Sequence, residues 1–83
     1  MFSFDSELLR QQRRQLGLTQ GQFGKIIGVT GATVGNWERA ISYPNVQELS
    51  KIAITCGVSD IDIYFYEKLK EKNFYEKKYK NKN

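Results

Sequence analysis

The connection between two helix-forming segments near the middle of the chain constrains its fold more than any other sequence feature. Apolar residues at helical spacing stop before Gly28. Only Gly28 and Val29 separate them from Thr30, a residue type that suits a helix N-cap. So short a turn forces the two helices to cross at a steep angle. The first of them opens at Thr19, which has the capping-box spacing with Gln22. The sequence therefore predicts two short helices crossed around a tight turn.

Helix punctuation recurs along the rest of the chain, and no stretch alternates cleanly enough to predict a strand. We predict five helices, over residues 6–16, 20–27, 31–39, 46–56 and 60–72. Gly17 and Gly57 stand where C-terminal caps are expected, and Pro44 keeps the loop before the fourth helix out of helical geometry. The predicted fold class is all-α, with residues 1–65 as one domain and residues 66–83 as a basic, aromatic extension that frays.

Composition excludes several classes of function. A chain of 83 residues supports one compact core and has no room for a deep substrate cleft. It has no His and a single Cys, Cys56, so the usual zinc sites and general bases are missing. We expect no enzyme, cofactor, metal or small-molecule ligand. Because the sequence has neither a secretory signal nor a membrane-spanning apolar run, we expect a cytoplasmic protein without a membrane partner.

The net charge of +4 comes from the C-terminal part of the chain. Residues 1–65 hold six basic and six acidic side chains, whereas residues 66–83 hold seven Lys and three Glu. The overall charge therefore says little about the surface of the predicted domain, and the tail has to be considered separately.

Residues 31–39 carry the candidate binding face. On a helical wheel, Val34, Trp37 and Glu38 point to one side. The opposite side is small and polar, has no acidic residue, and consists of Gly31, Ala32, Gly35, Asn36 and Arg39. Such a face can approach a polyanion and enter a major groove as the second helix of a helix-turn-helix. An alternative stays open at this point, because small residues on a helix often mean that another helix packs closely there.

Residues 8 to 65 resemble the Cro and lambda-repressor type of helix-turn-helix proteins, often called XRE-like. The resemblance rests on LGLTQ, an apolar pair before G-V-T, T-V-x-N-W-E-R, a Pro in the next loop, L-x-x-I-A and G-V-S. It implies a five-helix all-α domain that binds specific double-stranded DNA, usually as a homodimer on an inverted repeat, and acts as a repressor-like transcriptional regulator. Ala40 departs from the family pattern W-E-R-G, and a left-handed backbone there would be strained by roughly 1 kcal/mol.

The resemblance also implies roles for individual residues. Ala32 and Asn36 match base-reading positions, where an Ala methyl suits thymine and an Asn amide suits adenine. We expect Gly31 and Gly35 to let the helix backbone sit deeper in the groove, and Arg39 to contact phosphate or guanine. Phosphate contacts are expected from Gln20, Thr30, Thr33, Lys25 and Tyr43. Arg13 and Glu38 are expected to form an ion pair between the first and third helices.

The region after residue 60 leaves three roles open. We favour a dimer contact through Ile61, Ile63, Phe65, Tyr66 and Leu69 over a basic arm on the DNA backbone or a solvated tail. A second function also stays open, in which the same fold is a protein-interaction module for a toxin or an anti-repressor and DNA binding is weak or secondary. A regulatory protein partner is compatible with both functions.

Overall fold

The structure, a computed structural model, describes residues 2–67 of the chain. Its four α-helices are Ser6–Gln15 (α1), Gln20–Ile27 (α2), Gly31–Glu38 (α3) and Val46–Cys56 (α4). A 3-10 helix, Ile61–Tyr64, follows α4. Two short strands, Phe2–Phe4 (β1) and Phe65–Glu67 (β2), bring the ends of this region together.

Local sequence signals set the ends of the helices. Each α-helix begins after a side chain that accepts a hydrogen bond from a backbone N–H three residues later, these caps being Asp5, Thr19, Thr30 and Asn45. This contact satisfies one of the donors that the first turn of a helix leaves free. α2 and α4 end at Gly28 and Gly57, whose φ angles of 97° and 71° lie in the left-handed region.

The prediction of a fifth helix over residues 60–72 was wrong, as was the expectation that the chain forms no strand. After the 3-10 turn the chain extends and β2 pairs antiparallel with β1, with Phe4 opposite Phe65. The backbone N–H of Asp5 also donates to the carbonyl of Tyr64 at 2.6 Å. This pairing joins segments from distant parts of the chain, so tertiary contacts override the local helical spacing. Residues 68–72 of the predicted helix lie outside the described residues.

The core lies between the four α-helices, β1 and the 3-10 helix. Phe4 and Tyr64 extend it to the strands, with nearly parallel rings whose centroids lie 6.2 Å apart. Its largest fully buried side chains are Trp37, Tyr64, Phe23, Leu9, Ile27, Ile52 and Val34. α3 therefore has one face locked into the core, and only its other side is available to a partner. Within residues 2–67, no helix combines the length and apolar character needed to cross a lipid bilayer.

Candidate nucleic-acid interface

Glycines bring α2 and its turn into backbone contact with α3. A Cβ placed on Gly24 would lie 2.7 Å from the carbonyl oxygen of Val29. A Cβ on Gly31 would lie 3.0 Å from the Cα of Gly21. Both distances are below ordinary van der Waals contact, and the opposing atoms are backbone atoms that cannot rotate away. The close packing of α2, the turn after it and α3 therefore depends on the absence of a side chain at Gly24 and Gly31.

Gly31 and Gly35, two of the predicted base-reading residues, lie against α2. The sequence predicts that they allow close approach to DNA, but the close approach that they allow is to α2. Gly35 is buried, and a Cβ there would lie 3.3 Å from Oε1 of Gln20. Gly31 is half-buried against Gly21. Packing against a neighbouring helix, the alternative left open from the sequence, is what the structure contains at these two positions.

The accessible side of α3 is narrower than the helical wheel predicts. Ala32 and Arg39 are exposed, while Thr33 and Asn36 are half-buried. At the start of the helix, Oγ1 of Thr30 accepts a hydrogen bond from the N–H of Thr33 at 3.2 Å, and the two hydroxyls lie 3.0 Å apart. Since the first turn of a helix carries positive partial charge, these hydroxyls stand at an end of α3 that favours anions.

Asn36 and Arg39 contact each other on this accessible side. Nη2 of Arg39 donates a hydrogen bond to Oδ1 of Asn36 over 2.9 Å. The two residues are three positions apart, so their side chains are neighbours on the surface of one helical turn. Asn36 and Arg39, both predicted to read bases, are consequently not independent of one another.

The residue that follows the C-cap of α3, Ala40, is left-handed but is not glycine. Ala40 has a φ of 61°, and it is the only residue other than glycine with a positive φ among residues 2–67. The N–H of Ile41 donates to the carbonyl of Asn36 at 2.9 Å, and that of Ala40 to Trp37 at 3.2 Å. These are the hydrogen bonds of a Schellman ending, where glycine is the usual residue. The departure from the W-E-R-G pattern therefore coincides with a strained backbone.

A buried polar network holds α3 in place. Arg13 of α1 donates two hydrogen bonds to the Glu38 carboxylate, Nε to Oε2 at 2.6 Å and Nη2 to Oε1 at 3.1 Å. Nε2 of Gln20 donates to the same Oε1 at 3.1 Å. A third Arg13 nitrogen, Nη1, donates to the carbonyl of Leu18 at 2.7 Å. The network thus joins α1, the loop after it, α2 and the end of α3.

The network keeps Glu38 ionised. Burial by itself would raise the pKa of the Glu38 carboxyl, but hydrogen bonds from Arg13 and Gln20, with the charges of Arg13 and Arg10, lower that pKa below its ordinary value. On Arg13 the hydrogen bond to Glu38 outweighs burial, so its pKa is raised. The negative charge of Glu38 is therefore neutralised inside the domain and is not presented to an anionic partner.

The surface formed by α2 and α3 lacks competing negative charge. The sequence has no Asp or Glu from residue 8 to residue 37. Lys25, in the last turn of α2, is exposed. Gln20 is also exposed as a residue although its amide reaches Glu38. A polyanion that approaches these two helices therefore meets no carboxylate on either of them that is free to repel it.

Tyr43 lies outside α3 and contacts the strand region. It belongs to the loop between α3 and α4 and is 58% exposed. Its ring packs edge-on against Phe4 of β1, with centroids 6.2 Å apart. The structure therefore gives Tyr43 a packing contact with the strand region.

The predicted dimer residues lie around the 3-10 helix and the short sheet. Ile61, Ile63, Phe65 and Tyr66 are all exposed. Phe2 of β1, which the sequence reasoning missed, joins them and is 70% exposed. A shallow hollow in this surface is lined by Phe2, Asp62 and Phe65. The remaining predicted dimer residue, Leu69, lies outside the described residues. We call this group, Phe2, Ile61, Ile63, Phe65 and Tyr66, the sheet-end patch.

Among residues 2–67, no three His, Cys, Asp or Glu side chains are grouped so that they could hold a metal ion. Cys56 is partly buried, and burial, which outweighs a hydrogen bond with Tyr64, raises the pKa of its thiol. A raised pKa leaves less of the reactive thiolate at neutral pH.

Comparisons with known proteins agree with this geometry. A family model described as helix-turn-helix matches residues 9–63. The crystal structure of the P22 c2 repressor in complex with a synthetic operator in the presence of Tl+ matches with a TM-score of 0.69 and 26% identity, covering 75% of this chain and 92% of that one. A transcriptional regulator from Listeria innocua matches with a TM-score of 0.68 and 19% identity, covering 93% of this chain and 72% of that one.

No curated protein sequence matches the chain significantly. The family model nevertheless spans most of the chain and includes all of α2 and α3. The chain belongs to the helix-turn-helix family of the Cro and lambda-repressor type, whose members are non-enzymatic DNA-binding domains similar to repressors and other transcriptional regulators.

Proposed function

We propose that this protein is a repressor-like transcriptional regulator that binds a specific sequence of double-stranded DNA. In this proposal α3 enters the major groove, and two copies of the chain bind the two halves of an inverted repeat. One observation carries the proposal: α3 presents a small, polar, carboxylate-free side to solvent while its other side is fixed in the core.

The support of α3 suits the reading of bases, which requires side chains held to within about 0.5 Å of a productive position. Gly31, at the start of α3, sits close against the backbone of Gly21 in α2. Glu38, near the other end of α3, is held by Arg13 and Gln20. Contacts at both ends of α3 therefore define the direction in which its accessible side points.

We assign base contacts to Ala32, Asn36 and Arg39, because they are accessible on one side of α3. The side chains proposed to contact phosphates are Thr30, Thr33, Gln20, Lys25 and Tyr43. Phosphate contacts position a protein on the duplex, whereas contacts to base edges select the sequence. Gly31 and Gly35 keep a role in this interface only through the packing of α3 on α2.

One comparison and one feature of the charge distribution support the assignment of DNA as the partner. The P22 c2 repressor, which was crystallised with a synthetic operator, shares the fold over 75% of this chain. The two chains are 26% identical over the matched region. Because no acidic residue lies between positions 8 and 37, no carboxylate in this segment repels a phosphate backbone.

We further propose that the sheet-end patch is the dimer contact. Its residues are apolar and exposed, and an exposed group of large apolar side chains commonly marks an interaction surface. A twofold dimer would place two copies of α3 about one helical turn of DNA, roughly 34–36 Å, apart.

Selection of bound duplexes from a random DNA pool at about 150 mM salt tests the proposal. We expect enrichment of an inverted repeat with half-sites separated by about one helical turn or a multiple of it. Asn36→Ala should weaken binding to the selected duplex by roughly 5- to 150-fold and leave binding to an unrelated duplex nearly unchanged. Gln47→Ala, an exposed change on α4, is the matched control. Failure of the intact chain to enrich any sequence would contradict the proposal.

The sheet-end patch also favours a second candidate function, a protein-interaction module. In that case a toxin or an anti-repressor, and not a second copy, would cover the exposed aromatic residues. This candidate requires that Asn36→Ala leave partner binding intact, while Phe65→Ser and Tyr66→Ser abolish it. Measurement of the oligomeric state of the isolated chain separates the two candidates, since a homodimer lost in Phe65→Ser favours the regulator.

A further inference from the structure

We infer that Asn36 and Arg39 act as one unit that reads guanine, with Asn36 orienting the guanidinium of Arg39. The inference rests on the proposed function and deepens it by naming the base. It changes the sequence-based expectation for Asn36, which assigned this side chain an independent contact with adenine.

The geometry of the pair defines which atoms remain available. Nη2 of Arg39 lies 2.9 Å from Oδ1 of Asn36. A guanidinium has N–H donors and no acceptor, so the oxygen of the amide and not its nitrogen must face Arg39. The orientation of the Asn36 side chain is therefore set by chemistry: its Nδ2 group is turned away from the guanidinium.

An adenine contact competes with this orientation. A bidentate Asn–adenine pair needs the amide oxygen to accept from the N6 amino group while the amide nitrogen donates to N7. In the structure one lone pair of that oxygen already accepts from Arg39. To read adenine in the bidentate manner, Asn36 would have to direct its second lone pair at N6 while it holds the guanidinium, or give up the hydrogen bond to Arg39.

A guanine contact fits the groups that remain. Apart from the bond to Asn36, the guanidinium keeps four of its five N–H donors, and the Asn36 amide keeps its two. Guanine presents two acceptors, O6 and N7, at the major-groove edge, whereas adenine presents one acceptor beside a donor. A surface on which donors predominate therefore matches guanine better than adenine, whose amino group needs an acceptor.

The surroundings of the pair leave the guanidinium available to DNA. Arg39 is exposed at the end of α3. The neighbouring carboxylate, Glu38, has a side chain only 1% exposed and is bound by Arg13 and Gln20. Asn36 is the only side chain among residues 2–67 to which the Arg39 guanidinium donates. Because Asn36 restrains a long side chain before DNA arrives, less rotational freedom is lost on binding.

The test measures the affinity of the full chain for the selected duplex and for duplexes that carry one altered base pair each. We expect one G·C pair in each half-site whose change to A·T weakens binding by roughly 5- to 150-fold. Arg39→Ala should remove most of that discrimination, because it removes every donor of the guanidinium. Asn36→Ala should reduce the same discrimination at the same base pair. The double variant should lose no more of this discrimination than Arg39→Ala alone.

A further variant tests whether Asn36 orients the Arg39 guanidinium or contacts a base by itself. Arg39→Met frees Oδ1 of Asn36, so we expect preference at the affected position to move from guanine toward adenine. Gln47→Ala is again the control for surface substitution, and circular dichroism establishes that each variant is folded.

Three outcomes decide the matter. The Asn36 and Arg39 variants could lose discrimination at two different base pairs, with additive losses in the double variant. This result would show that the two residues read bases independently and would overturn the inference. If the intact chain selects a sequence and Arg39→Ala keeps every G·C preference, the inference would also be overturned, while the proposed function would stand. An intact chain that binds no duplex would contradict the proposed function itself.

Discussion

Arg13 and Glu38 connect the first and third helices through two hydrogen bonds, Nε to Oε2 at 2.6 Å and Nη2 to Oε1 at 3.1 Å. Both residues are buried, with 9% and 5% of their surfaces exposed. A buried carboxylate and guanidinium offset their loss of hydration only while each has the other as a partner. The position of α3 therefore depends on a pair that is costly to break, although a well-packed apolar pair could replace it.

Glu38→Ala should destabilise the domain by about 3–5 kcal/mol, because it leaves the Arg13 guanidinium buried without its partner. Urea unfolding followed by circular dichroism measures this change. Glu7→Ala is the matched control, since Glu7 is exposed and its 3.8 Å pair with Arg10 should contribute less than about 1 kcal/mol. Equal decreases in the free energy of unfolding in the two variants would show that the buried pair has no special role in stability.

Acid should weaken the domain in part through Glu38. The pKa of Glu38 is lowered in the folded state, so the unfolded chain binds this proton first as the pH falls. Its contribution to stability is thus present above the ordinary pKa of 4.5 and is lost as the pH falls below that value toward the folded pKa. The unfolding free energies of the unmodified chain and of Glu38→Gln should converge between about pH 7 and pH 3. A difference that stays constant over this range would contradict the assignment.

Gly31→Ala should destabilise the domain even though alanine favours helices over glycine by about 1 kcal/mol. The added Cβ would lie 3.0 Å from backbone atoms of Gly21, and overpacking of this kind costs about 1–3 kcal/mol. Gly21→Ala is the control, because its Cβ would have no neighbour closer than Oγ1 of Thr19 at 4.0 Å. We expect thermal unfolding at a lower temperature for Gly31→Ala and at an equal or higher one for Gly21→Ala. The opposite order would mean that α2 and α3 are not in close contact.

Ala40→Gly should stabilise the domain by about 0.5–1 kcal/mol, since glycine adopts the φ of 61° without strain. For a domain of this size the melting temperature should rise by about 2–8 °C. Ala32→Gly, an exposed change inside α3, should instead lower stability by about 1 kcal/mol. A melting temperature for Ala40→Gly at or below that of the unmodified chain would indicate that residue 40 is not left-handed.

The four α-helices could be predicted from sequence because their boundaries are local. Thr19, Thr30 and Asn45 cap backbone groups three residues away, and the α2 boundaries agree with the prediction. Signals of this kind depend only on neighbouring residues. The sheet could not be predicted in the same way, since Phe4 and Phe65 pair across almost the whole described region.

The candidate site was predictable only in part for a similar reason. A helical wheel gives the angles between residues of α3, but it does not give the direction in which the neighbouring helix lies. Gly35 was therefore assigned to the accessible side, although it faces Gln20. The hydrogen bond between Asn36 and Arg39 could not be predicted from the sequence either, because their spacing permits such a contact without establishing it.

The central claim, that the accessible side of α3 meets DNA, is tested most directly by following the backbone amide NMR signals of the intact chain during titration with its selected duplex. We expect the largest shifts at residues 30–36 and at Arg39, with smaller ones around Lys25, and these shifts should shrink when an unrelated duplex is used. Shifts confined to the sheet-end patch, with the α3 signals unmoved at saturating DNA, would contradict the claim.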